Sequence, residues 1–419
     1  MRRQQGIKIT KGIHDTILSI EFLNQFRLSE RYFTRKRKLT FVNLVVFILN
    51  FLSKSTQAEL NQFFDFMTIK ERISQQAFSK ARQKISPEAF KYLFELTVKG
   101  LMEDEESMRW NGYRLFAIDS TEVHLEPTKE LIEVYGQKKH NQNCKARVSI
   151  LCDVNEGMII DAQMDSYAVG ERVLAKRHLE VFEAYKRKKD LIIFDRGYPS
   201  KELIAMLSEK KIKFLMRVQK SFSQLIDEST QEDYYMDLSY QKKTYKVRII
   251  KLKLPSNEIE VLVTNVGRNQ FKKSEFMELY FKRWPIETKY NTIKNKLKLE
   301  NFSGRTLISV QQDFYATMFL SNLVAISKVI ADESIREMNR EKDLKYNYQV
   351  NESMLIGHLK NRLVKCLLEK NDSKREQLLN EIIEDAIHSR VPIRPGRSFK
   401  RKNIDKKKRS IKRPLKSNL

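Results

Sequence analysis

Apolar residues recur at helical spacing through the first hundred positions. Leu60, Phe63, Phe64 and Met67 share one side of a segment opened by Thr56-Gln57-Ala58-Glu59, which fits a capping box. Ile73, Ala77, Phe78, Ala81 and Ile85 share one side of the next segment. The other face of that second helix shows Gln75, Gln76, Ser79, Lys80, Arg82 and Gln83, side chains that reach base edges and phosphates. A helix-turn-helix over 55–85 and an ordinary solvated helix face both fit this pattern. Residues 1–108 read as one helical domain, with the acidic run Glu103-Asp104-Glu105-Glu106 at its boundary.

From Trp110 the pattern changes. Tyr113–Ser120, Arg147–Val154 and Met158–Met164 read as strands, the last two joined by the turn Asn155-Glu156-Gly157. A helix at about 170–186, the strand Leu191–Phe194, a helix at about 200–209 and the strand Phe214–Val218 follow. Antiparallel strands and then alternating helix and strand predict an α/β fold with a mixed sheet. Leu191-Ile192-Ile193-Phe194 is apolar on both faces, as a central parallel strand is. Residues 220–268 break the rhythm and read as a β-rich insertion, with strands at Tyr245–Lys253 and Ile259–Thr264. Helices return over 269–335 and again over 336–389, before a basic tail at 390–419.

The most apolar run, Phe41–Leu52, is twelve residues long, short of the ~20 that span a bilayer. Tyr315–Ile330 is longer but carries Ser321, Asn322, Ser327 and Lys328. Both read as core. Met1-Arg2-Arg3-Gln4-Gln5 is followed by no apolar signal stretch, so the expectation is a soluble cytoplasmic protein with no membrane partner.

Charge sharpens this picture. Lys+Arg number 79 and Asp+Glu 53, a net +26 over 419 residues. Thirteen Lys/Arg and one acid fall within 390–419, which leaves +14 for the remainder, so the body is basic without its tail. Arg31, Arg35, Lys36, Arg37 and Lys38 form a second cluster around Tyr32 and Phe33. A polyanionic partner follows, nucleic acid ahead of an anionic membrane surface. Three cysteines without a C-x-x-C and six histidines without H-x-x-x-H spacing disfavour disulfide and zinc chemistry. The absence of G-x-x-x-x-G-K-[ST] removes a nucleotide cofactor, and the absence of G-x-S-x-G disfavours a serine hydrolase.

Two acids sit where buried strands end: Asp119 after Phe116-Ala117-Ile118, and Asp195 after Leu191-Ile192-Ile193-Phe194. Either alone reads as loop solvation. Together they converge on the carboxyl rim of one sheet, where open α/β sheets bind ligands. Further on, Tyr280, Glu287 and Lys294 are spaced by seven, with Arg283 four before Glu287. On one helix these would form a single stripe. An exposed i,i+4 Arg–Glu pair explains part of it equally well, and Pro285 kinks or restarts the helix there.

Asp119 in AIDST, Asp195 in IIFDRGYPS and the Tyr280-x2-Arg283-x3-Glu287-x6-Lys294 array resemble the DDE transposases of bacterial insertion sequences, and within them the Y-R-E-K subgroup (insertion-sequence family four). Gln76–Arg82 and Leu151–Arg172 also look like that family, and the Asp-to-Asp and Asp-to-Glu gaps are 76 and 92 residues. The resemblance implies an RNase H-like core (109–219 and 269–335) interrupted by the insertion at 220–268, behind an N-terminal DNA-binding domain. It implies Asp119, Asp195 and Glu287 as catalytic metal ligands for two Mg²⁺ ions, with Mn²⁺ able to substitute, because paired ions flank a scissile phosphate. Tyr280, Arg283 and Lys294 would bind phosphates, and Gln76, Lys80 and Arg82 would contact DNA. Trp284 fits either a base-stacking role or the core. The implied function is cut-and-paste transposition on double-stranded DNA, inverted-repeat ends and target alike, by a homodimer. A catalytically lapsed DNA-binding regulator and an RNase H-like nuclease are the alternatives. Glu122 and Asp153 read as solvent-side acids.

Overall fold

The computed structural model describes residues 2–35, 37–50, 55–70, 72–103, 107–137, 143–219, 222–254, 257–360 and 362–394. The basic tail beyond Arg394 and Lys36 of the second basic cluster lie outside them. The chain forms two compact units, Met1–Glu103 with Ile293–Leu419, and Asp104–Thr292.

The first unit opens with α1 (Arg2–Leu18), α2 (Ile20–Phe26), α3 (Phe41–Ile48), α4 (Thr56–Phe66), α5 (Gln75–Arg82) and α6 (Glu88–Met102). Short polar side chains start these helices. Thr40 Oγ1 accepts from Asn43 N (3.1 Å), and Ser74 Oγ accepts from Ala77 N (3.2 Å). Ser55, not Thr56, caps α4 by accepting from Ala58 N. Residues 67–74 join α4 to α5, a longer connection than the 3–4-residue turn of a helix-turn-helix.

The second unit is built on one eight-stranded sheet of β1 (Arg114–Leu125), β2 (Cys144–Asp153), β3 (Met158–Ser166), β4 (Asp190–Phe194), β5 (Lys213–Val218), β6 (Asp233–Tyr240), β7 (Lys243–Lys253) and β8 (Ile259–Thr264), in the order β3-β2-β1-β4-β5-β8-β7-β6. β1, β2 and β3 pair antiparallel, and β4 and β5 continue parallel to β1. Those five strands make an RNase H-like core. All of β4 is buried, as its two-sided apolar sequence requires. The strands of the 220–268 segment extend this sheet, since β8 pairs antiparallel with β5 and carries β7 and β6 outward. Around the sheet run α7 (Lys129–Tyr135), α8 (Glu171–Glu183), α9 (Lys201–Glu209), α10 (Gln224–Glu228), α11 (Phe276–Phe281) and α12 (Pro285–Asn291).

A π-helical turn, Thr292–Lys296, follows α12. The helical unit then resumes with α13 (Leu307–Asn339), β9 (Tyr348–Val350), α14 (Glu352–Leu359), α15 (Arg362–Leu368), α16 (Asp372–His388) and β10 (Arg390–Pro392), β10 pairing with β9. The sequence reading placed all of 269–335 with the catalytic core. From Ile293 the chain belongs to the helical unit, where α13 packs on α6 and α16. The reason is burial around α13: Phe314, Met318 and Phe319 pack in the core, and Asn322 Nδ2 donates to Thr97 Oγ1 of α6 (2.9 Å). α13 has the length and apolarity to cross a membrane, yet 83% of its most apolar window is buried within the protein. It is a core helix.

Candidate functional site

Strand register brings the two aspartates together. Ile118 of β1 pairs with Phe194 of β4, and Asp119 and Asp195 are the next residue on each chain. Neighbouring strands lie ~4.8 Å apart, so the two aspartates stand side by side where β4 ends; β1 does not end there, as the sequence suggested, but stays paired with β2 as far as Leu125. Asp119 Oδ1 accepts from Ser120 N (2.9 Å) and Asp195 Oδ1 from Arg196 N (2.7 Å). Burial pushes the Asp119 carboxyl up to about 6; the Ser120 amide and Arg283 pull it down, and the charges of Asp195 and Glu171 add to the rise. A negative charge placed there is under-compensated by the protein.

α12 is fastened to this place by Tyr290. Its buried hydroxyl donates to the Asp119 carbonyl (2.6 Å) and lies 3.3 Å from the Val148 carbonyl. Glu287 stands one turn earlier on the same face. Arg283 Nη2 donates to Glu287 Oε1 (2.9 Å), while Arg283 Nε is buried with no hydrogen-bond partner among the described residues. Tyr280 donates its hydroxyl to Asp195 Oδ1 (3.2 Å), and the guanidinium of Arg283 lies 5.9 Å from the centre of its ring. Burial and the adjoining Asp195 push the Tyr280 phenol up to about 12. Burial works against the charge of Arg283, and Tyr280, Asp195, Glu287 and Asp119 outweigh it, so its proton is held more tightly than usual.

The seven-residue stripe is not one helix. α11 ends at Phe281, residues 282–284 form a turn, and Pro285 is the first residue of α12, where its missing N–H costs nothing. Arg283 lies in that turn. Lys294 lies in the π-helical turn and belongs to the helical unit, its Nζ 3.5 Å from Glu300 Oε1. Trp284 is 51% exposed and Phe281 61%, which removes Trp284 from the core.

The three acids do not form a ready-made cage. Among the described residues no group of three or more His, Cys, Asp or Glu stands together closely enough to hold a metal ion. Arg283 engages the carboxylate of Glu287 instead. The donor chemistry at the sheet end still suits a hard divalent cation, since Mg²⁺ takes one or two carboxylates and fills its octahedron with water and phosphate. Asp119 and Asp195 would be that pair.

Several residues around the site carried no distinct signal in the sequence. Ser120 Oγ donates to Glu171 Oε1 (2.5 Å), and Arg147 Nη1 lies 3.3 Å from the same oxygen. A Cβ at Gly197 would come within 3.1 Å of Glu171 Oε2, so the glycine makes room for that acid. Tyr198, buried, has its phenol pushed well up by burial and then by Asp119 and Glu171. Beneath β1, Ser149 Oγ donates to the Asp119 carbonyl (3.2 Å), His178 Nε2 lies 2.9 Å from Ser149 Oγ, and His178 Nδ1 lies 2.6 Å from Asp161 Oδ2. Glu171 falls within the Leu151–Arg172 stretch that resembled the family, the one available hint.

Two further expectations are corrected. Arg82 does not face DNA: it is 1% exposed and donates to Gln312 (2.8 Å), Ser303 (2.6 Å), the Ser309 carbonyl (3.0 Å) and Asp313 (2.8 Å), which fixes α5 to α13. Asp153 is buried, accepting from Asn155 N (2.9 Å) and Glu156 N (3.0 Å) at the β2–β3 turn, and its carboxyl is pushed up to about 7 by burial. Glu122 is the solvent-side acid that the sequence suggested, its half-exposed side chain paired with Lys145 (2.5 Å).

Gln76 and Lys80 are exposed on α5. Beside that helix the segment of the second basic cluster forms a groove of about 1180 Å³, lined by Arg31, Tyr32, Arg35, Arg37 and Lys38 and by Ala77 and Ala81 of α5.

Residues 110–323, just over half of the chain, match the family described as the transposase DDE domain. No curated protein matches the chain. Among solved structures it is similar to the cryo-EM structure of the piggyBac transposase synaptic complex with hairpin DNA, at 11% identity and a TM-score of 0.49 over 93% of this chain and 87% of that one. DDE transposase domains generally use divalent metal ions, and transposases bind DNA. With both aspartates side by side on adjacent parallel strands of an RNase H-like sheet and the family model spanning them, the chain belongs to the transposase DDE domain family and is a DDE transposase.

Proposed function

We propose that the chain is the transposase of a bacterial insertion sequence of the Y-R-E-K subgroup, which cuts its element's inverted-repeat ends and joins them to target DNA. The observation that carries this reading is Asp119 beside Asp195 on adjacent parallel strands, with the Arg283–Glu287 segment fastened to the Asp119 carbonyl by Tyr290. Asp119 and Asp195 would hold the divalent metal, Mg²⁺ with Mn²⁺ as substitute, and Glu287 would complete a two-ion site once it leaves Arg283. Such ions activate water or a 3′-hydroxyl and stabilise the departing oxygen.

The protein's own residues position DNA. Arg283, released from Glu287 and with Nε unpaired, presents a fork for a phosphate. Tyr280 orients Asp195 through its hydroxyl. Lys294 contributes a further phosphate contact. Trp284, exposed beside Arg283, stacks on an unpaired base. Gln76, Lys80 and the basic groove next to α5 hold the ends, and two copies of the chain pair them in the cytoplasm, where the bacterial chromosome lies.

The test is a duplex carrying the sequences that flank the gene, incubated with the full chain with and without Mg²⁺. Cleavage and joining are expected only with the metal. Asp119→Ala, Asp195→Ala and Glu287→Ala should each lower cleavage by at least ~10³-fold while end binding persists. Equal loss of binding in all three would identify structural acids instead.

A further inference from the structure

The sequence Lys186-Arg187-Lys188 lies far along the sheet from the aspartates. It precedes β4, whereas Asp195 follows it, and five strand residues at ~3.3 Å each separate the two ends by ~17 Å. At that remote end Lys211 and Lys213 arrive at the start of β5, and Lys246 arrives from β7. Together these six residues line a cleft of about 660 Å³ that has no acidic residue among its lining.

Ordinary structural roles account for part of the charge. Lys186 Nζ donates to Glu183 (3.0 Å) and to the Lys210 carbonyl (2.9 Å), and Lys213 Nζ to the Asn265 carbonyl (3.2 Å). Lysines also gather at helix C-termini, where they complement the dipole, and α8 and α9 both end nearby. Arg187 is half-buried and gives its amide to Asp190 Oδ2 (2.6 Å), which leaves Lys188, Lys211 and Lys246. All three are exposed, and none has an acidic partner among the described residues. Of the nearby carboxylates, Glu183 is taken by Lys186 and Lys210 and Glu209 by Lys243 and the Tyr245 hydroxyl, while Asp237, opposite Lys246 in the β6–β7 register, lies outside the cleft lining. Lys246 Nζ lies 5.0 Å from the Tyr235 ring centre, which orients it without neutralising it.

We infer that this cleft is a second DNA-contacting surface of the catalytic unit, one that takes the phosphate backbone of a duplex of any sequence, distinct from the strand being cut. The inference rests on the transposase reading for its ligand. Lysine ammonium groups act as point charges and lack the planar fork of arginine, so the contact is with phosphates and carries no base readout. Its distance from Asp119 and Asp195 keeps these contacts away from the reacting phosphates, so the cleft holds the flank of a target duplex whose attacked phosphate lies at the aspartates.

The experiment compares the full chain with Lys188→Gln/Lys211→Gln/Lys246→Gln, changes confined to exposed side chains. Three quantities are read: cleavage of the element's ends, joining to a random-sequence duplex, and the salt dependence of affinity for that duplex. Expected are cleavage within ~2-fold of the parent, joining lowered by at least ~10-fold, and a log–log salt slope shallower by ~2–3. An unchanged slope with unchanged joining overturns the inference, as does a fall of cleavage equal to that of joining. Weakened binding to phosphatidylserine vesicles with DNA affinity intact would assign the cleft to a membrane surface and also overturn it. A parent chain that binds random duplex but neither cuts nor joins would sink the transposase reading while the slope still reports on the cleft.

Discussion

Two aspartates bracket β4 and have opposite surroundings. Asp190, at its start, is buried and saturated: Arg114 donates to both carboxylate oxygens (2.7 and 2.6 Å) and the Arg187 amide adds a third bond (2.6 Å). Asp195, just past its end, accepts only from the Arg196 amide and Tyr280 among the hydrogen bonds found, and beside it Asp119 accepts from one amide. One carboxylate is given every donor that a buried charge needs. The other two are placed side by side with too few. A protein that leaves adjacent carboxylates under-compensated stores a demand for positive charge, which is what metal and phosphate chemistry uses.

The contrast is broken most severely at its structural end. Arg114→Met leaves Asp190 buried without its partner and should cost about 3–5 kcal/mol of unfolding free energy, read from denaturant curves of the full chain. A loss near zero would mean that the pair is dispensable and that the two ends of β4 are not so different.

The functional end predicts the opposite sign. With its carboxyl raised to about 6 against ~3.9 in the unfolded chain, Asp119 binds more protons folded than unfolded between pH 4 and 6. Stability therefore falls as pH rises through that window, and the cost is complete above about 6. Asp119→Asn should remove it, stabilising the metal-free protein at pH 7.5 by about 1–2 kcal/mol after solvent screening and hardly at all at pH 3.5. Equal stabilisation at both pH values would show that the effect is packing and not charge.

The smallest change sharpens the link between them. Tyr290→Phe keeps the ring and deletes the hydroxyl that ties α12 to Asp119, and should cost about 1 kcal/mol. Because it loosens Glu287 and Arg283 relative to the aspartates, cleavage should fall more than DNA affinity does. A drop in stability with cleavage unaltered would make Tyr290 merely a core residue.

Much of the fold was readable beforehand. The strands at Tyr113–Ser120 and Leu191–Phe194 were visible because two-sided burial demands uninterrupted apolar residues, and both aspartates were visible because they end such runs. Pro285 announced the break between α11 and α12 through its missing donor. Side chains whose partners are remote in sequence were not readable. Arg82 looked like a surface residue of an amphipathic helix and is buried by contacts some 220–230 positions away. His178 and Ser149, under Asp119, carry no spacing that links them.

The sequence by itself determined the period of each element, the ends of the strands and the residues able to carry chemistry, because local sterics and the alternation of apolar and polar positions are properties of neighbours along the chain. Only the tertiary structure decided that α13 belongs with the helices, that Arg283 engages Glu287, and that lysines from two loops and a strand meet at the far end of the sheet. Those outcomes depend on which surfaces bury one another, and burial couples residues whose separation along the chain carries no information about their distance in space.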